Sequence, residues 1–103
     1  MSCWSPFLAA FRKDVAAKLD YLLDWSEWIS LGDTIVESTW ERDEGIAIDQ
    51  TFLDATTNQT AVILSGGSAS KVYRVANRVV TQHGRIDRRT ILIGVYQQAN
   101  LVP

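Results

Sequence analysis

The sequence predicts an all-β fold, an immunoglobulin-like antiparallel β-sandwich of about seven strands with a short N-terminal arm or helix. Three observations carry that expectation. Apolar residues recur with period two along much of the chain, as at Leu19, Tyr21, Leu23 and Trp25, the spacing that turns one side of an extended strand toward a core. Turn-forming residues return every eight to twelve positions or so, with no long helical pattern between them. Three of the four tryptophans, Trp25, Trp28 and Trp40, fall within sixteen residues broken by short polar segments, which suits anchors of strands and turns better than one helical face. Cys3 is the only cysteine, so the Cys…Trp…Cys pattern of antibody domains is absent.

Residues 1 to 17 differ from the rest. Ser5 can cap a helix with Pro6 at its first position, and Trp4, Phe7, Leu8 and Phe11 follow at helical spacing, which predicts a short apolar arm that either folds back as a lid or inserts into a neighbouring subunit. Residues 18 to 97 form the sandwich and 98 to 103 an extended tail. Lys18 to Trp25 reads as a first strand and Ser26 to Asp33 as a connection. Thr34 to Trp40 is a second strand rich in β-branched residues, and Glu41 to Gly45 is a charged turn. A short strand follows at Ile46 to Asp49, with Thr51 to Leu53 a separate short edge strand before the polar turn at Thr56 to Gln59. Thr60 to Ser65 is a near-continuous apolar strand, and Gly66-Gly67-Ser68 turns the chain. Lys71 to Gln82 and Ile86 to Tyr96 make a long hairpin around His83-Gly84-Arg85, with Tyr73, Val75, Val79 and Thr81 facing Ile91, Ile93 and Val95 in the core. Arg74, Arg78, Arg88 and Arg89 are expected outside it as a cationic stripe.

A chain of 103 residues makes one domain, able to bury somewhat over ~60% of its unfolded surface. Its 47% hydrophobic and 21% charged content excludes a disordered chain, and no apolar run approaches the ~20 residues of a membrane-spanning helix. Arg12-Lys13 follows the first apolar stretch instead of preceding it, the wrong polarity for a secretory signal. A lone cysteine makes no internal disulfide, so manufacture and assembly in a reducing cytoplasm are expected. Charge is divided unevenly: residues 1 to 54 hold eleven acids against Arg12, Lys13, Lys18 and Arg42, while residues 55 to 103 hold only Asp87 against six bases. Either the halves interleave and neutralise each other, or they leave a bipolar surface that docks copies or partners. Nucleic acid is disfavoured as a partner, because the basic residues lack interleaved stacking aromatics beyond Tyr73.

Groups with chemical potential do not converge. His83 sits in a turn, Cys3 has no neighbouring base, and Asp20, Asp24, Glu27 and Asp43, Glu44, Asp49 lack the spacing of a calcium loop. Gly66-Gly67 has no following lysine and helix to cradle phosphate. No enzyme activity, cofactor or metal is expected. Trp25 and Trp40 read as core residues, and Trp28 as a partly exposed contact residue. Asp24 and Ser26 fit a turn, Asn77 an inward amide that must find partners, and Tyr73 a tyrosine corner.

The blocks Asp20-Tyr21, Asp24-Trp25-Ser26-x-Trp28, Gly32-Asp33-Thr34-Ile35, Ser38-Thr39-Trp40, Leu64-Ser65-Gly66-Gly67, Tyr73-x-Val75-x-Asn77 and Gly84-Arg85, in this order from about Phe11 to Val95, resemble a family of small tailed-bacteriophage proteins described as fiber-tail adaptors. The resemblance implies an immunoglobulin-like structural protein of the virion tail without enzymatic activity, made in the host cytoplasm. It implies as partners other tail proteins (tail fiber, adaptor or nozzle) and neighbouring copies, with no nucleic acid or membrane. The residues expected to touch partners are Trp4, Phe7, Leu8 and Phe11 of the arm, Trp28, and Arg85, Arg88 and Arg89 of the hairpin. A head-to-tail connector or capsid decoration protein is the alternative within a virion. A carbohydrate-binding sandwich is the alternative outside it, and requires coplanar exposed aromatics.

Overall fold

The computed structural model describes residues 7–97, which form seven strands and, among the described residues, no helix. These are β1 (Phe7–Asp14), β2 (Leu19–Asp24), β3 (Ile35–Arg42), β4 (Ile46–Asp54), β5 (Gln59–Gly66), β6 (Val72–Thr81) and β7 (Ile86–Tyr96). They make two layers, a four-stranded sheet in the order β1-β7-β6-β3 and a three-stranded sheet in the order β2-β5-β4.

Strands β6 and β7 form the long hairpin that alternation predicts, paired from Val72↔Gly94 to Val80↔Ile86. Two expectations are corrected. From Phe7 onward the chain is a strand, not a helix, and β1 lies parallel to β7 with Phe11 opposite Ile93 and Lys13 opposite Val95. The sandwich is therefore antiparallel except along this edge, and Phe7–Asp14 belongs to it. An eight-residue helix is marginal by itself, whereas the free edge of β7 satisfies a ladder of backbone groups and receives Phe11 onto Tyr21 at 5.2 Å between ring centroids. Ser5, Pro6 and Trp4 lie outside the described residues. The second correction joins the two short strands of 46–53 into one β4, whose register shifts between Ile48 and Gln50. That bulge resets the alternation, so Ile46 and Ile48 before it and Thr51 and Leu53 after it take the inward parity.

The core between the layers is Tyr21, Leu23, Trp25, Ile35, Ile46, Val62, Leu64, Tyr73, Val75, Val79, Ile91, Ile93 and Val95. Three polar side chains inside it, those of Trp25, Thr60 and Asn77, are tied together across the sheets. The Trp25 indole N–H, wholly buried, donates to Asn77 Oδ1 (3.0 Å) and Thr60 Oγ1 (3.2 Å), Thr60 Oγ1 donates to Asn77 Oδ1 (2.6 Å), and Asn77 Nδ2 donates to Ser38 Oγ (2.8 Å) and Thr39 O (3.0 Å). Asn77 thus finds the partners its inward position demands. Lys13 is buried as well, and its Nζ crosses to the other sheet to donate to Gly66 O at 2.8 Å, besides Asp14 O at 2.9 Å.

Tyr73 forms the expected corner: its hydroxyl accepts the Ser68 N–H at 2.7 Å, and that bond, the foremost influence on the phenol, holds its pKa below the ordinary value. The ring fits because Gly67 (φ 93°) stands beside it; a Cβ there would lie 2.7 Å from Val95 Cγ2 and 3.2 Å from Tyr73 Cε1.

Candidate functional site

One end of the sandwich is closed by the connection from β2 to β3 and the turn of the β6–β7 hairpin. Asp24 Oδ1 accepts the Ser26 N–H (2.9 Å), starting the turn as its sequence suggests, and Trp28 and Ile29 donate backbone N–H groups to Trp25 O at 2.9 and 3.1 Å. This sets the Trp28 ring edge-on to Trp25, 5.3 Å apart at 67°. Two arginines from the hairpin then cover the indoles. The Arg85 guanidinium lies 4.4 Å from the Trp28 ring centroid and donates to Trp28 O (2.9 Å) and Ser30 Oγ (2.8 Å). Arg89 lies 4.0 Å from the Trp25 centroid and donates to Asp24 O (3.0 Å). Burial pushes the Arg89 pKa down despite the opposing fields of Asp87, Asp24 and Glu27.

Asp33 locks the same end. Its side chain is buried, and Oδ1 accepts the N–H groups of Thr34 (2.9 Å) and His83 (3.1 Å). Burial alone would raise this carboxyl, but the Thr81 side chain, the two N–H groups and the neighbouring His83 together hold it below its ordinary value. His83 itself is an exposed turn residue.

The residues expected to touch partners are thus distributed unequally. Trp4 lies outside the described residues, and Phe7 and Leu8 lie on the edge strand β1. Phe11 is half-buried on Tyr21, and Trp28 is half-buried beneath Arg85. Arg85 and Arg89 are engaged with their own tryptophans. The expectation that Arg89 stands outside the core is corrected: opposite Asn77 in the ladder, it shares the inward parity of Ile91 and Ile93. Arg88, opposite Arg78, does face outward and meets Glu41 at 3.8 Å.

Strand order explains where the two charged halves go. On the four-stranded sheet, arginines from the second half meet acids from the first: Arg74 with Asp43 through Nε and Nη2, both at 3.1 Å, Arg78 with Glu37 at 3.6 Å and Arg88 with Glu41 at 3.8 Å. The Arg74 hydrogen bonds hold the Asp43 carboxyl below its ordinary range. A shallow groove lined by Glu41, Arg42, Asp43, Arg74, Ala76 and Arg88 lies on this side. The three-stranded sheet has no such balance: its strands carry Asp20, Asp24, Asp49 and Asp54 and no basic residue.

The three-stranded sheet also shows what sequence reasoning missed. Ladder register places Leu22 beside Ala61 and Ala61 beside Phe52, one row across the outer face, with Ile63 next to it opposite Asp20 and Gln50. Leu22 is 54% and Phe52 45% exposed. The signal was present in Tyr21-Leu22-Leu23, where an apolar residue occupies the outward parity between two core positions.

Among the described residues no cluster of three metal-ligating side chains exists, and no helix is long and apolar enough to cross a membrane. What the arrangement offers is a two-layer, immunoglobulin-like sandwich, a fold that does not by itself set a function. The comparisons sharpen that class. A solution structure of the PKD domain from the KIAA 1837 protein superposes with a TM-score of 0.56 at 15% identity, covering 89% of this chain and 84% of that one, a likeness of fold alone. No curated protein matches the sequence. A family model, described as podophage GP4 fiber-tail adaptor protein gp77, matches residues 13–94, and the chain belongs to that family. It is a bacteriophage tail adaptor, a component of the virion tail that interacts with other tail proteins.

Proposed function

We propose that the chain works purely by adhesion: made in the host cytoplasm, it seats on the tail tube or its adaptor in several copies and holds a fiber, without turning over a substrate and without binding nucleic acid or membrane. The observation that carries this reading is the reach of the family match, which spans residues 13–94 and so takes in β2 to β6 whole, most of β7 and the end of β1. The engaged state of the polar residues supports the non-enzymatic part, since Asp33, Asn77, Thr60 and Arg89 all serve internal bonds. Trp4, Phe7, Leu8 and Arg88 remain the contacts proposed for partners from the arm and hairpin, with Phe11, Trp28, Arg85 and Arg89 shaping the surfaces behind them. Carbohydrate recognition is less well supported, because Trp25 is buried and Trp28 stands at 67° to it beneath a guanidinium, not coplanar and open.

The test is a nonsense mutation in the encoding gene, with and without the intact chain supplied in trans. Particles made without it should keep the tail tube and lack fibers, and supply in trans should restore both chain and fibers. Full fiber content without the chain would refute the function.

A further inference from the structure

We infer that the outer face of the three-stranded sheet is the docking site for a different protein of the tail, one presenting an apolar patch rimmed by lysine or arginine, and that it is not a contact between copies. This deepens the adaptor reading and rests on it.

The outer face of an antiparallel sheet is ordinarily polar when it meets water. Here Leu22, Ala61 and Phe52 form a continuous row across all three strands, backed by Ile63, and the two large members are about half exposed. A contiguous apolar patch with a charged border is the form of a protein interface, and its border sets the sign of the partner. Asp20, Asp24 and Asp54 take the outward parity of Leu22 and Phe52, with no basic residue on the three strands. The single ion pair that touches the sheet among the described residues is Lys18–Asp49 at 3.9 Å.

A second copy is a poor match for this face. Two such faces in contact would oppose acid to acid. The outer face of the four-stranded sheet does carry arginines, but Arg74, Arg78 and Arg88 are already matched by Asp43, Glu37 and Glu41 and Arg12 lies over the Tyr96 ring at 4.5 Å, so docking there would give up existing contacts. The charge of Asp20 and Asp54, which no ion pair offsets among the described residues, therefore calls for bases from another chain, while Asp24 is offset in part by Arg89.

Two measurements test this. In the first, Leu22→Ser/Phe52→Ser and, separately, Asp20→Lys are supplied in trans to particles lacking the native chain, and copies of this protein and of every other tail protein are counted by quantitative mass spectrometry. In the second, purified native protein and the double variant are compared by sedimentation and thermal unfolding. The expected result is about a tenfold or greater loss of this chain, or of one other tail protein, from particles for both variants, with purified native protein monomeric and the variants folded. Unchanged copy numbers would overturn the proposal while leaving the adaptor function standing. Self-association of the native protein that the double variant abolishes would overturn it in favour of a copy-to-copy contact. Should the variants unfold, Asp20→Asn, which removes only the charge, takes their place with the same expected loss. Absence of the native chain from native particles would remove the adaptor function and this face together.

Discussion

Replacing Asn77 by Ala should be among the most damaging single changes available to this fold. The native side chain takes part in four hydrogen bonds, accepting from Trp25 and Thr60 and donating to Ser38 and Thr39, and it is wholly buried. Truncation leaves the buried Thr60 hydroxyl without its acceptor, takes a donor from the part-buried Thr39 carbonyl and opens a small cavity between the sheets. A buried polar group left unpaired costs about 1–3 kcal/mol, so the stranded hydroxyl, the lost bonds to Trp25 and Thr39 and the cavity amount to roughly 3–5 kcal/mol. Against a total stability of about 5–15 kcal/mol that is a large share. For a domain of this size it lowers Tm by about 15–30 °C. Urea unfolding followed by tryptophan fluorescence, with near-UV circular dichroism to report the Trp25 environment, measures it directly. Asn77→Asp is the informative companion: it keeps an acceptor for Trp25 but sets an anion against Thr39 O, so its deficit should shrink as acid protonates the introduced carboxyl. A loss below about 1 kcal/mol for Asn77→Ala would refute the argument that this network holds the layers together.

Gly67→Ala should cost about 2–4 kcal/mol in chemical denaturation, since the added methyl meets Val95 Cγ2 at 2.7 Å on a backbone with φ of 93°; an unchanged midpoint would show that the corner yields. Arg89→Ala should destabilise by about 1–2 kcal/mol through the exposed Trp25 face and the lost bond to Asp24 O, whereas Arg88→Ala should stay within about 0.5 kcal/mol because its ion pair is exposed. Equal effects of the two would contradict their assignment to opposite faces. Stability should also fall in acid: Asp24, Asp33 and Asp43 all sit below the ordinary value of 3.8, so what they contribute is present above that pH and lost as pH drops through their lower folded values. Thermal scans should therefore turn downward below pH 3.8, and Asp43→Asn should flatten part of that descent; an identical acid profile for the variant would exclude Asp43 as a contributor.

The parts of this fold legible in the sequence are those governed by neighbours along the chain. Period two fixed which apolar residues of β2, β6 and β7 face inward, and Gly67 and Tyr73 announced their corner through local chemistry. The helical reading of Phe7, Leu8 and Phe11 fails because they fit a helix when taken alone, while the strand that captures Phe7–Asp14 comes only at the far end of the chain. In β4 the bulge placed two inward runs out of phase, which reads as two short strands. Arg89 had the right parity to point inward, yet its charge argued outward. Only the cation–π contact with Trp25, a pairing between residues far apart in sequence, resolves that conflict.

The arrangement of β1 along β7 carries a mechanical consequence for a part that joins two bodies. These strands run in the same direction, with Phe7 opposite Thr90 and Asp14 opposite Tyr96, so a pull applied between the chain's two ends drags them past each other lengthwise. Their evenly spaced hydrogen bonds then share the load in shear and must rupture as a group, instead of opening one at a time as a zipper does. A link that takes its tension through those ends would resist tugging well beyond what its equilibrium stability suggests.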